Sequence, residues 1–149
     1  QVIRPPVPLP LPPAFKNASM HTINTDACTI TFRDDDVVHA HFKDGRTGTM
    51  EDVKEMFVAI RLERKGRKAL LMVSVGQGAS LSNEARTYAS GEESNVVIAA
   101  DAILVRDFGH QLSANAFMRH NKPPRPIKLF TDEKNALKWL LEQRHLINA

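Results

Sequence analysis

The chain reads as an α/β protein, with a mixed sheet of about five strands and about four helices packed on it. Three observations predict this. Apolar runs at Ala69-Leu70-Leu71-Met72-Val73, Ala102-Ile103-Leu104-Val105 and Ile127-Lys128-Leu129-Phe130 are each followed by a helical pattern, the grammar of parallel strands with helices on their faces. The segments between runs are long enough to hold a crossover helix, as parallel pairing requires. No proline occurs between Ala14 and Lys122, so nothing there forbids regular structure.

The elements follow in order. Residues 1–13 hold six of the nine prolines and predict an extended tail with polyproline II character. It offers two P-x-x-P spacings, Pro5 to Pro8 and Pro10 to Pro13, which suit either a spacer or a ligand for an aromatic groove. Residues 14–149 form one domain. Thr29-Ile30-Thr31-Phe32 alternates polar and apolar residues, Asp34-Asp35-Asp36 turns the chain, and Val37 to Phe42 returns as a second strand; together they predict an N-terminal hairpin. Lys43-Asp44-Gly45-Arg46-Thr47-Gly48 is a loop by its glycines. Thr49 is an N-cap, and Glu51 and Asp52 suit the positive end of a helix dipole. Val53, Met56, Phe57 and Ile60 share the buried face of that helix, and Gly66 is expected at its C′ stop.

A second helix starts near Ser82 and turns Ala85, Tyr88 and Ala89 inward, fading between Gly91 and Asn95. A third is predicted from about Phe108 to His120, ended by Asn121 and the corner Pro123-Pro124-Arg125-Pro126. Thr131 or Asp132 caps a fourth, with Ala136, Leu137, Leu140 and Leu141 as its stripe and Trp139 at one edge.

The bulk numbers narrow the function classes. The 149 residues, 42% hydrophobic and 25% charged, are ordinary globular composition. A net charge of +3 is mild. Its basic residues cluster at Arg61, Arg64, Lys65, Arg67 and Lys68 and again at Arg119, Lys122, Arg125 and Lys128, but with few aromatics between them. Nucleic acid is therefore not an expected partner. No apolar run reaches the ~18 residues of a membrane span, and the single cysteine, Cys28, reads as a buried inert thiol. Both suit a cytoplasmic location.

The motifs that carry chemistry are sparse. No G-x-S-x-G elbow, P-loop or H-E-x-x-H occurs, so no cofactor, metal or catalytic residue is assigned. His39 and His41 alternate along a strand and share a face; the expectation is a solvated strand face, since no third ligand is spaced to complete a metal site. Asp34-Asp35-Asp36 lacks the spacing of a calcium loop and is expected to be a solvated turn. The candidate site is the loop after the third strand: Gly76, Gln77, Gly78, Ser80, Ser82, Asn83 and Arg86. It stands at a strand's C-terminal edge, the usual ligand rim of an open α/β sheet. Its glycines permit close approach of a partner or an anion, and Ser82 is either an N-cap or a hydroxyl open to phosphorylation.

The element order, with Leu71-Met72-Val73-Ser74-Val75-Gly76-Gln77, Leu81-Ser82-Asn83-Glu84-Ala85-Arg86, the segment Asn121 to Glu133 and Ala136-Leu137-Lys138-Trp139-Leu140, resembles the STAS domains. These are typified by the anti-sigma-factor antagonist of bacterial sporulation; small bacterial STAS-like proteins of unknown function look closer still. The resemblance spans roughly 19–144. In antagonists of that family an Asp-Ser-Ser-Gly-type loop opens a helix, and its first serine is phosphorylated by a partner kinase. Laid on this chain, the pattern puts Ser82 at the aspartate and Asn83 at the phosphorylated serine, while a slip of one residue makes Ser82 the acceptor. The Asp-Ser pair itself is missing.

What the resemblance implies is a non-enzymatic regulatory module that binds a protein, a kinase or an anti-sigma-type regulator, through residues 76–86, and that pairs as a homodimer in some settings. Related folds also include lipid-binding modules, so a carrier of a small ligand or lipid is the alternative.

Overall fold

The computed structural model describes residues 20–106 and 125–148. The proline-rich tail, the predicted third helix, and Arg119 and Lys122 lie outside these residues. In chain order the strands are β1 (His21–Asn24), β2 (Cys28–Phe32), β3 (Val37–Phe42), β4 (Thr47–Gly48), β5 (Ala69–Val75), β6 (Ser80–Leu81), β7 (Ile98–Leu104) and β8 (Ile127–Phe130). The helices are α1 (Met50–Glu63), α2 (Asn83–Ala89) and α3 (Glu133–Leu141), with 3-10 turns at Glu92–Val96 and Arg144–Leu146.

The main sheet has six strands, in the order β1-β2-β3-β5-β7-β8, not about five. The addition is β1, a short polar edge strand running antiparallel to β2 from His21↔Phe32 to Asn24↔Thr29. The expected β2–β3 hairpin is present. From β3 onward every pairing is parallel, with Val37↔Leu70 through Phe42↔Val75 joining β3 to β5, and β7 then pairing with β5 and β8. The three apolar runs thus lie side by side, as predicted.

Strand alternation sends side chains to both faces, so the sheet needs two cores. On one face Ile30, Val38, Ala40 and Leu71 pack against Val53, Met56, Phe57 and Ile60 of α1 and Ala85 of α2. On the other, Val37, Leu70, Met72, Ala100 and Ala102 pack against Ala136 and Leu140 of α3 and against Ile147. Each fully buried Ile or Leu contributes roughly 1.5–3 kcal/mol.

The helix ends obey their local sequence. Thr49 and Asp52 form a complete capping box on α1, and Asp132 rather than Thr131 caps α3. At the end of α1 the stop differs by one residue from expectation. Lys65 takes the left-handed C′ position at φ 55°, its N–H donating to the Leu62 carbonyl, and Gly66 is C″, donating to Arg61. That is a Schellman motif, entered one residue earlier than expected.

Cys28 is fully buried, and burial pushes its thiol up to about 12, so it is inert at neutral pH.

Candidate functional site

The C-terminal ends of β3, β5 and β7 meet at one rim, where two loops are joined. The loop after β3 carries Asp44-Gly45-Arg46-Thr47; the loop after β5 carries Gly76 to Ser82. Gly76 N–H donates to the Phe42 carbonyl at 2.7 Å, and Gly45 N–H to Gln77 at 2.9 Å. Asp44 Oδ1 accepts from the Gln77 N–H at 2.9 Å. The loops then run parallel as β4 and β6, Thr47↔Ser80 and Gly48↔Leu81. Arg106, just past β7, adds a clamp: its guanidinium donates to the carbonyls of Gly76 at 2.8 Å and Ala79 at 3.4 Å.

Two glycines make this joint possible. A Cβ on Gly76 would overlap Asp44 Oδ1 and stand 2.7 Å from the Asp44 nitrogen, so only glycine lets the loops touch there. Gly78 sits at φ 71°, the left-handed region that other residues enter at a cost.

Of the residues singled out in the sequence, Gln77, Gly78, Ser80 and Asn83 are exposed on the lip, Ser82 and Arg86 are half-buried, and Gly76 is buried beneath it. Ser82 is the N-cap of α2, its Oγ accepting from the Ala85 N–H at 3.1 Å. The fold adds Asp44, Gly45, Arg46 and Thr47, all exposed. Their loop was legible from its glycines, but its union with the 76–82 loop depends on residues some 33 positions apart and left no local signal.

On the α3 face of the sheet a second polar cluster corrects the sequence reading. His39 and His41 are not a solvated strand face. Both are half-buried and both bond to Ser74 of β5: His39 Nε2 at 2.7 Å and His41 Nδ1 at 2.8 Å from Ser74 Oγ. Glu133 Oε1 at the start of α3 stands 4.0 Å from His39 Nδ1. Burial holds the His39 imidazole below its ordinary pKa, with His41 adding to the effect and Glu133 opposing it.

The acidic turn is corrected as well. Asp36 is buried, and its carboxylate receives Arg64 at 3.0 Å, Arg67 at 3.3 Å and Arg144 at 3.1 Å. Burial alone would raise its pKa, but the Arg64 and Arg144 hydrogen bonds and the nearby cationic charge outweigh that and hold it below the usual value. Arg64 also donates to the Lys68 carbonyl, so two members of the first basic cluster, Arg64 and Arg67, are engaged within the fold.

Arg125, counted from sequence in the second basic cluster, is buried beside Asp101 at 2.6 Å and also donates to Ser94, Asn95 and the Ala89 carbonyl. Burial raises the Asp101 pKa, and Arg125 offsets part of that. Among the described residues no three His, Cys, Asp or Glu side chains converge to hold a metal ion, and no helix is long and apolar enough to cross a membrane.

Comparison places this architecture among known proteins. The crystal structure of an uncharacterized protein from the DUF3478 family with a SpoIIAA-like fold, from Shewanella loihica PV-4, superposes with a TM-score of 0.50 and 19% identity. The match covers 79% of this chain and 98% of that one, which supports a shared fold: the STAS-like architecture expected from the sequence. No curated protein matches the chain. The sequence model of a domain of unknown function (DUF7793) matches residues 30–144, from β2 to the turn after α3, and the chain belongs to that family.

Proposed function

We propose that this chain is a regulatory protein-binding module, and that the rim formed by residues 44–47 and 76–86 recognises its partner without catalysing a reaction. The observation that carries this is the joining of two loops into one presenting edge. Backbone hydrogen bonds and the Asp44 carboxylate fix the loops to each other, while Gln77, Ser80, Asn83 and Thr47 remain exposed. A pre-organised polar edge binds with less ordering cost than a loose loop. The partner class that suits it is a folded protein, a kinase or an anti-sigma-type regulator, with a second copy of this chain as the homodimer form. Ser82 is the rim hydroxyl open to modification; a phosphate there would keep an acceptor for the Ala85 N–H while adding about −1.5 to −2 charge.

The test is a photo-crosslinking residue placed at Gln77, with one at Glu92 as control, followed by binding measurements on the captured protein. Capture at Gln77 and loss of binding in Gln77→Ala/Ser80→Ala/Asn83→Ala supports the reading. Equal binding by the triple variant refutes it.

A further inference from the structure

The Ser74 cluster lies off the rim and is not used by the reading above. A hydroxyl has one proton and two lone pairs, so Ser74 can donate to only one of the two imidazoles, and the tautomer of His39 decides whether it does. The Glu133 carboxylate favours a proton on His39 Nδ1. That leaves the Nε2 lone pair aimed at Ser74 Oγ, 2.7 Å away. In that tautomer Ser74 donates to His39, and its oxygen accepts from His41 Nδ1–H at 2.8 Å. This is a hydroxyl with a positioned base on one side and a donor to its oxygen on the other, and the base has a carboxylate near its far nitrogen. The site is reachable: Ser74 and His41 are half-buried and the His39 side chain is 23% exposed.

We propose that Ser74 is a covalent acyl-acceptor site, which takes one acyl group from an activated donor such as a thioester or an acyl phosphate. Ser74 Oγ attacks the acyl carbon and forms the ester bond, its proton passing to His39 Nε2. The bond from carbon to the leaving group breaks, and the leaving group departs with the electron pair as thiolate or phosphate. His39 then returns the proton to solvent. Around Ser74 the strand backbone is engaged in the β3–β5 ladder, so the oxyanion receives little dedicated help and the site suits good leaving groups rather than amides. The event is one transfer per chain, two residues upstream of the rim loop. It stands on its own geometry and does not depend on the rim binding a partner. Glu133 acts through His39 and is a positioning residue.

The experiment treats the full chain with p-nitrophenyl acetate, follows p-nitrophenolate release, and maps the acetyl group by peptide mass. One acetyl on Ser74 is expected, absent in Ser74→Ala and forming about 100-fold more slowly in His39→Gln, the size of a lost general base. Thermal melts establish that both variants fold. The labelling rate of the unaltered chain should fall as His39 gains a proton. Two titratable groups act on that imidazole, His41 from β3 itself and Glu133 from α3. Glu133→Gln should therefore move the inflection to lower pH, which a merely structural role would not do. Acetyl groups on lysines with Ser74 unmodified, or a rate at Ser74 that ignores both His39→Gln and pH, would overturn the proposal.

Discussion

The two ends of the parallel strands use polar groups in opposite ways. At the N-terminal end, Asp36 gathers Arg64, Arg67 and Arg144, and Asp101 holds Arg125 with Ser94 and Asn95 beside it. Charge is consumed inside the fold there, and among the described residues no buried side-chain polar atom lacks a partner. At the C-terminal rim the joints are mostly backbone, and the side chains of Gln77, Ser80, Asn83 and Thr47 face solvent. One end is closed with ion pairs; the other spends peptide groups on rigidity and keeps its side chains for contact. Ligand sites of open α/β sheets occupy that second end.

The sharpest way to break this comparison is Arg125→Ala. It leaves Asp101 as an unpaired buried carboxyl and removes donors to Ser94, Asn95 and Ala89. The expected loss is about 3–5 kcal/mol, read from urea unfolding. A loss under about 1 kcal/mol would mean that the pair is not the anchor described.

Asp36→Asn is next, at about 3 kcal/mol near neutral pH, because it weakens charge-assisted hydrogen bonds from Arg64 and Arg144. The pH dependence has a definite sign. The folded carboxyl titrates below its ordinary value, so the unfolded chain takes up the proton first as pH falls. Stability present above the carboxylate range is lost as pH drops through it toward the lowered folded pKa. The variant should show a flatter acid limb, and an unchanged limb would contradict the hub.

Gly76→Ala sharpens the other side of the comparison. Its methyl has no room beside Asp44, so the two loops must part, at about 1–3 kcal/mol by the usual cost of overpacking. Hydrogen exchange at the Gly45 and Gln77 amides should rise while the amides of β2 stay protected. If exchange at the rim is unmoved, the joint is not the source of its order.

A smaller effect belongs to His39. Its folded pKa lies below 6.5, so between 6.5 and that lowered value the unfolded chain holds more protons. Stability is full above 6.5 and declines as pH falls through the folded pKa. His39→Gln should flatten this limb of the stability curve without touching the deeper acid limb of Asp36.

What was legible in the sequence follows the same division. Elements whose stability is local were readable: the alternation Thr29 to Phe32, the stripe Val53, Met56, Phe57 and Ile60, and the caps Thr49 and Ser82. The β1 strand was not, because His-Thr-Ile-Asn has one apolar residue and is held by its ladder to β2. The acidic turn looked solvated because the partners of Asp36 lie 28 and 108 residues away. His39 and His41 looked exposed because Ser74, 35 and 33 residues on, is an ordinary serine until β5 lies beside β3. Residues 76–86 follow β5 at its C-terminal end, but the residues beside them there, 44–47, belong to another loop.

The least destabilising change should be the most telling. Gln77→Ala, Ser80→Ala and Asn83→Ala alter exposed side chains while the carbonyls and N–H groups that join the loops are unchanged. Each should shift stability by no more than about 0.5 kcal/mol. If the rim is a contact surface, the triple variant must still lose partner binding at unchanged melting temperature, whereas Asp36→Asn must lose stability first and binding only as the chain unfolds. Binding that tracks stability in both variants would make the rim one more structural joint, and the contrast between the two ends of the sheet would lose its functional meaning.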